Sequence, residues 1–176
     1  MLAADLGDEA ETETLMDRAT AAVGPIGVLI NGATVARRDS WDEATRTTWD
    51  MHIETNLRVP FVLIQAFARR LPADAEGVAI NLLDQRLNPR LVSYTLSKAA
   101  LWTLTQTLAL ALAPRIRVNG IAPSRDIPAE NEADADNVAR AAITILALRS
   151  MTGQMIVPDG IPPPASGSQV RPGPEK

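Results

Sequence analysis

The chain has 176 residues, 46% of them hydrophobic, and a formal net charge of -4, which suits one domain of ordinary size with a sizeable core. It has no cysteine and one histidine, so disulfides, thiolate catalysis, cysteine zinc sites and histidine-rich metal sites are excluded. The acidic balance argues against a nucleic-acid partner, no apolar run approaches the roughly 18 residues that span a bilayer, and residues 1–8 are too polar and short for a signal peptide; a cytoplasmic protein without nucleic-acid or membrane partners is expected.

Residues 1–6 are partly apolar and suit the end of a strand. Residues 8–23 read as a helix with acids at its start and Leu15, Met16, Ala19 and Val23 at helical spacing. Gly24-Pro25 stops it. Residues 26–30 (IGVLI) are best read as a buried strand, and Asn31-Gly32-Ala33-Thr34 follows as a loop. A long helical stretch covers 41–71, with Ser40 and Glu43 in a capping-box pattern at its start. Pro60 predicts a kink or break near Val59, and Pro72 ends the stretch.

Residues 78–83 (VAINLL) read as a second buried strand and 84–91 as a polar loop. A second long helix covers 93–113, with Leu96, Ala100, Leu104, Leu108 and Ala111 on one broad face. Residues 116–121 (IRVNGI) are a third strand, 135–148 a helix and 154–157 a last short strand. Strands alternating with long helices imply right-handed crossovers and a parallel sheet, an α/β fold. Residues 161–176 hold five prolines and two glycines and are expected to be a disordered tail, leaving 1–160 as the folded domain.

Three polar positions fall where strands end or helices begin. Asp84 follows the second strand, and Tyr94 and Lys98 stand four residues apart on one face of a helix start. Ligands of open α/β sheets bind outside the carboxyl ends of the strands. A lysine ammonium beside a phenol favours the phenolate, and such a tyrosine can give or take a proton at a carbonyl or imine. Taken alone, Tyr-x-x-x-Lys is weak evidence and fits an exposed surface pair better. His52 reads as a surface or satisfied helix residue rather than a catalyst, and Trp41, Trp49 and Trp102 as packing anchors.

Taken in order, Asn31-Gly32-Ala33, Asn56, Asn81-Leu82-Leu83-Asp84, Tyr94-Thr95-Leu96-Ser97-Lys98, Arg117 to Pro123, and Thr152-Gly153-Gln154 with Asp159-Gly160 resemble the short-chain dehydrogenase/reductase family, from about residue 5 to residue 160. The resemblance implies an incomplete doubly wound parallel sheet, Rossmann-like with three α/β/α layers, that lacks its first strands. Family members begin with a strand, a Thr-Gly-x-x-x-Gly-x-Gly loop and a helix, and nothing in this sequence matches that loop. It further implies an NAD(P)-dependent oxidoreductase in which Tyr94 is the general acid, Lys98 holds the nicotinamide ribose, and Asn56 holds a water that links Lys98 to solvent. Asp84 stands where most members have serine. With Gln85-Arg86 and Ser93-Tyr94-Thr95 it is similar to the pteridine reductase branch, in which the aspartate and tyrosine together manage the proton added to the pterin ring. The alternative for Asp84 is a loop residue capping nearby amides.

The cofactor-binding residues implied are Asp5 and Leu6 at the adenine end, Asn31, Gly32 and Ala33, Tyr94 and Lys98, and Pro123, Ser124 and Ile127. NADPH is the expected cofactor with NADH as the alternative, the substrate is a small pterin-like or carbonyl molecule, and a homo-oligomer forms through the two long helices. Two other functions stay open: a general carbonyl or alcohol dehydrogenase, and an inactive remnant that keeps only its oligomer-forming helices. Departures from the family carry their own expectations. The interval from Asp84 to Tyr94 is short for the family, which would displace the catalytic pair. Ser124 replaces a usual glycine, the stretch 124–132 is short for a substrate-covering lid, and strand 26–30 would be an exposed edge, apolar on both faces.

Overall fold

A computed structural model of the chain describes residues 1–123 and 132–158. The expected tail at 161–176, Ser124, Ile127, Asp159 and Gly160 lie outside the described residues. Strands β1 (Val28–Asn31), β2 (Gly77–Leu82), β3 (Ile116–Ile121) and β4 (Met155–Ile156) pair in that order, all parallel. Between them run helices α1 (Glu9–Val23), α2 (Arg46–Ile53), α3 (Val59–Arg70), α4 (Val92–Leu112) and α5 (Glu132–Ala147).

Alternation along the strands splits the core between two faces. Ala79 of β2 and Ile116 and Val118 of β3 point to one face, where they meet Met16, Leu63, Phe67 and Ala109 from α1, α3 and α4. Ile80 and Ile121 point to the other, where Ala141 and Ile145 of α5 cover them. These are the three layers expected. The second layer is thin. Val28 and Ile30 pair with Val78 and Ile80 and share their face, but they lie 42% and 49% exposed. β1 is therefore the edge foreseen from its sequence, with its apolar outer side chains in water.

Local chemistry sets the element ends. Asp8 caps α1 by accepting from the Glu11 N–H at 3.0 Å. Gly24 closes the helix at φ 83°, a conformation other residues rarely adopt. Residues 1–6 do not form the strand end expected of them. Their backbone is tied to α1 instead, through Arg18 donating to the Ala3 carbonyl at 2.7 Å, and Leu6 packs half-buried on the first-face core.

The long helical stretch also starts later than expected. Ser40 Oγ bonds the carboxylates of Asp42 and Glu43, both at 2.8 Å, so it serves a turn. The capping box is formed by Thr45 and Thr48, and the helix begins at Arg46. Pro60 causes no break. The Val59 N–H reaches back five residues to the Glu54 carbonyl, and the segment Glu54–Arg58 is one wide π turn leading straight into α3. Such a turn accommodates a proline that lacks the N–H of a regular helix.

The buried face of α4 is rotated from the apolar face read off the sequence. Ser93, Tyr94, Ser97, Lys98, Leu101, Thr105 and Ala109 are buried, whereas Leu96 is exposed and Leu110 is 85% exposed. The helix is apolar nearly all round, so polarity could not tell its inner face. Trp41 and Trp49 are likewise exposed rather than anchoring the core, while Trp102 packs against Leu83, Leu101 and Ala122. No helix among the described residues is long and apolar enough to cross a membrane.

Candidate active site

Three segments meet at the carboxyl ends of the strands: the loop 32–39 after β1, the loop 83–91 after β2, and the first two turns of α4. Leu83 N–H donates to the Ile121 carbonyl at 2.7 Å, which carries β2 one residue further and delivers Asp84 to the sheet edge. Tyr94 Oη donates to Asp84 Oδ2 at 3.0 Å. The short interval between them still lets the two side chains meet. Lys98, one helical turn on, is only 3% exposed. Its ammonium donates to Thr34 Oγ1 at 2.8 Å and to the Leu82 carbonyl at 3.0 Å, and lies 6.0 Å from the centre of the Tyr94 ring.

Arg86 shapes the electrostatics. Its guanidinium grips the Asp84 carboxylate in a fork, Nε to Oδ1 at 3.0 Å and Nη2 to Oδ2 at 2.7 Å, and its backbone N–H adds a bond to Oδ1 at 2.9 Å. Burial pushes the Asp84 carboxyl up, but the Arg86 bonds and the Tyr94 hydroxyl outweigh it and hold the group below the usual carboxylate range. Burial pushes Lys98 down to about 8, against the pull of the Asp84 charge. A cavity of about 390 Å³ opens between Thr34, Ala36, Asp84, Arg86 and Tyr94. A second, of about 450 Å³, lies between Asp84, Lys98, Trp102 and Met155. Asp84 and Arg86 stand in the wall common to both.

Asn56 is fully buried in the π turn. Its side chain holds Val35 from both sides, accepting from the N–H at 2.9 Å and donating to the carbonyl at 2.9 Å, and it reaches Ser97 Oγ at 3.1 Å. The side chain thus clamps the loop after β1 beside Lys98. Pro60 cannot supply the helical donor to the Asn56 carbonyl four residues earlier. Asn31 Nδ2 donates to Asn81 Oδ1 at 2.8 Å, and Asn81 Nδ2 to Thr105 Oγ1 at 2.8 Å, a buried ladder that fixes the end of β1 to β2 and α4.

Asn31, Gly32 and Ala33 line a third cavity of about 200 Å³ with Leu6 and Thr55. A Cβ at Gly32 would meet Leu82 at 3.4 Å, an ordinary contact, so packing alone does not require glycine there. Asp5 is exposed, and its carboxylate folds back to accept from the Gly7 N–H at 2.8 Å. Pro123 is buried just past β3, and Ser124 and Ile127 lie outside the described residues.

Asp39 escaped the sequence reading, Ser93 entered it only within the Ser93-Tyr94-Thr95 run, and His52 carries more than it suggested. Ser93 N–H donates to Asp39 Oδ2 at 3.1 Å, and Ser93 Oγ bonds the same oxygen. His52 Nδ1 lies 2.6 Å from Ser93 Oγ, and its Nε2 accepts from the Arg37 N–H at 2.9 Å. All three side chains are fully buried. They stand 41 and 54 residues apart in the chain, so no local pattern could announce them. Thr34 and Arg86 were also missed as partners of Lys98 and Asp84.

Comparison with known proteins bears on this arrangement. The sequence profile of the family described as short chain dehydrogenase matches residues 1–127. The chain is 37% identical over 125 residues to L-xylulose reductase of Bos taurus and 34% identical over 125 residues to carbonyl reductase [NADPH] 2 of Sus scrofa, in each case over 68% of this chain and 50% of the relative. It thus spans about half the length of these relatives. Among solved structures it is similar to FolM alternative dihydrofolate reductase 1 from Brucella suis in complex with NADP, with TM-score 0.82 and 38% identity over 90% of this chain and 71% of that one.

Proposed function

Since the chain belongs to the short chain dehydrogenase family, we propose that the centre formed by Asp84, Tyr94 and Lys98 reduces a C=N bond of a pterin-like substrate with NADPH. The carrying observation is the Tyr94 hydroxyl 3.0 Å from the Asp84 carboxylate, at the mouth of a cavity beside Lys98. Bound NADPH would supply the hydride that adds to the carbon. Tyr94 Oη gives its proton to the nitrogen, so the bond gains one hydride and one proton. Lys98, with its pKa brought down to about 8, exchanges protons readily near neutral pH and restores the Tyr94 proton. Asn56 would hold a water on that route.

Asp84 is the residue that favours a pterin. Arg86 already lays a planar pair of donors on its carboxylate, and the ring N–H and amino group of a pterin present the same planar pair. The likeness to FolM alternative dihydrofolate reductase 1 supports this reading. The buried ammonium of Lys98 and the Tyr94 hydroxyl fit the ribose of NADPH. Asn31, Gly32, Ala33, Pro123, Ser124 and Ile127 would carry the rest of that half, and Leu6 with Asp5 the adenine end. The exposed Phe61, Leu96 and Leu110 on α3 and α4 suit contact with a second copy of the chain.

A second reading, reduction of a carbonyl, is favoured by the 37% identity to L-xylulose reductase. The test is an NADPH titration of the folded 1–176 chain, followed by turnover of a dihydropterin against a small ketose. Saturable binding with dihydropterin turnover supports the proposal, and ketose turnover alone supports the second reading. A folded chain that binds no NADPH would refute both and leave the inactive remnant.

A further inference from the structure

The most heavily bonded cluster of buried polar groups outside the proposed chemistry joins Asp39, Ser93 and His52. Its hydrogen bonds have only one consistent set of directions. Nε2 of His52 accepts from the Arg37 N–H at 2.9 Å, so in the neutral ring the proton sits on Nδ1. Nδ1–H then donates to Ser93 Oγ at 2.6 Å, and the Ser93 hydroxyl donates onward to Asp39 Oδ2. Burial lowers the His52 pKa against the pull of Asp39, which keeps the ring neutral.

The same carboxylate caps α4. Leu91 at the helix start makes no side-chain cap, and Asp39 Oδ2 takes the Ser93 N–H at 3.1 Å instead. The Asp39 backbone pairs with the Arg90 carbonyl at 3.0 Å and the Val92 N–H at 3.2 Å. Loop 34–39 is therefore fastened to the helices along its length: Thr34 to Lys98, Val35 to Asn56, Arg37 to His52 and Asp39 to Ser93. The His52 ring also meets the Tyr94 ring edge-on, centres 6.0 Å apart at 75°. Asp39 Oδ1, in contrast, is buried with no hydrogen-bond partner among the described residues. A carboxylate held so costs stability that an apolar residue would not, and such a cost is tolerated where geometry matters.

We propose that Asp39, Ser93 and His52 are positioning residues. Their one-way chain of hydrogen bonds locks the loop after β1 to the first turn of α4, and so holds Thr34 on Lys98 and the Tyr94 ring at its angle to Asp84. This rests on the reading of Tyr94 and Lys98 given above, but its tests need no turnover, so a chain that reduced no pterin would still decide it.

The chain has one tyrosine and one histidine, so each can be read alone. Among the described residues, the charged groups near Tyr94 include Asp84, with Arg86 on it, and Lys98. A shift in their placement moves the midpoint at which tyrosinate absorbance appears. In His52→Phe and in Ser93→Ala, with native circular dichroism, the ionisation constant of Tyr94 should change roughly tenfold. In His52→Gln, which keeps one donor and one acceptor, most of that change should be absent. Midpoints equal to wild type in both folded variants would overturn the proposal. Should the variants not fold, nitrogen NMR of the wild-type imidazole decides. A proton on Nδ1 and a hydrogen-bonded acceptor at Nε2 support it, and the opposite tautomer, or a ring titrating near the ~6.5 of a free histidine, overturns it.

Discussion

Around the first turns of α4 the chain buries polar groups, and along β1 it leaves apolar groups in water. Ser93, Ser97, Lys98, Asn56 and His52 are shut away, each with named partners, while Val28 and Ile30 lie open. Burial of a polar group is affordable where every donor finds an acceptor. Exposure of an apolar strand face has no such local compensation and must be met by another covering element. The first region is a self-contained design within this chain. The second is a sheet edge whose sequence reads as a central strand.

The largest test of the buried polar region is Tyr94→Phe. It keeps the ring that packs on His52 and removes the hydroxyl that would move the proton. Dihydropterin turnover should fall on the order of 10²–10⁴-fold with NADPH affinity little changed. A fall under tenfold would mean that the proton comes from elsewhere.

Lys98 tests what that region costs. Burial holds its folded pKa at about 8, whereas an unfolded lysine titrates near ~10.4. Between these values the unfolded chain binds more protons, so stability rises with pH across that window, by on the order of 3 kcal/mol. Below pH about 8 the deficit is fully present. Lys98→Met should remove this slope and raise stability at pH 7, less whatever is lost by leaving Thr34 and the Leu82 carbonyl without their donor. Urea unfolding of both proteins at pH 7 and at alkaline pH checks it. A slope that persisted in the variant would show that other groups carry it.

Asn81→Ala probes the ladder that joins the two regions. It strips an acceptor from Asn31 and a donor from Thr105, and should cost about 2 kcal/mol, read as a lower urea midpoint.

The two regions were not equally legible in the sequence. The strands at 26–30, 78–83 and 116–121 were found within two residues because runs of Val, Ile and Leu between turn residues leave few other readings. Asp84, Tyr94 and Lys98 could be named because the order of motifs around them resembles the family's, and they do come together. Asp39 and Ser93 could not be paired, since their meeting depends on the fold bringing the loop after β1 against the start of α4. α4 was misread for a related reason. Its inner face is chosen by hydrogen-bond partners such as Asn56 and Asp39, which a count of apolar residues ignores. The start at Trp41 was misread because Ser40 and Glu43 fit a capping box that Thr45 and Thr48 make.

The smallest effect should come from the open edge. Val28 lies on the edge strand β1 beside Val78, on the sheet face that α5 covers further in, and is 42% exposed. Val28→Lys puts a charge where water already is, and the lysine stem can still lie along the strand. Folding stability should change by no more than about 0.5 kcal/mol, while light scattering at high concentration should fall, because a charged edge strand resists pairing with another chain. If the substitution instead destabilised the fold by several times that amount, Val28 would be covered in solution, by a second copy or by further chain. The edge would then be an interface, and the contrast with α4 would be one between two buried regions.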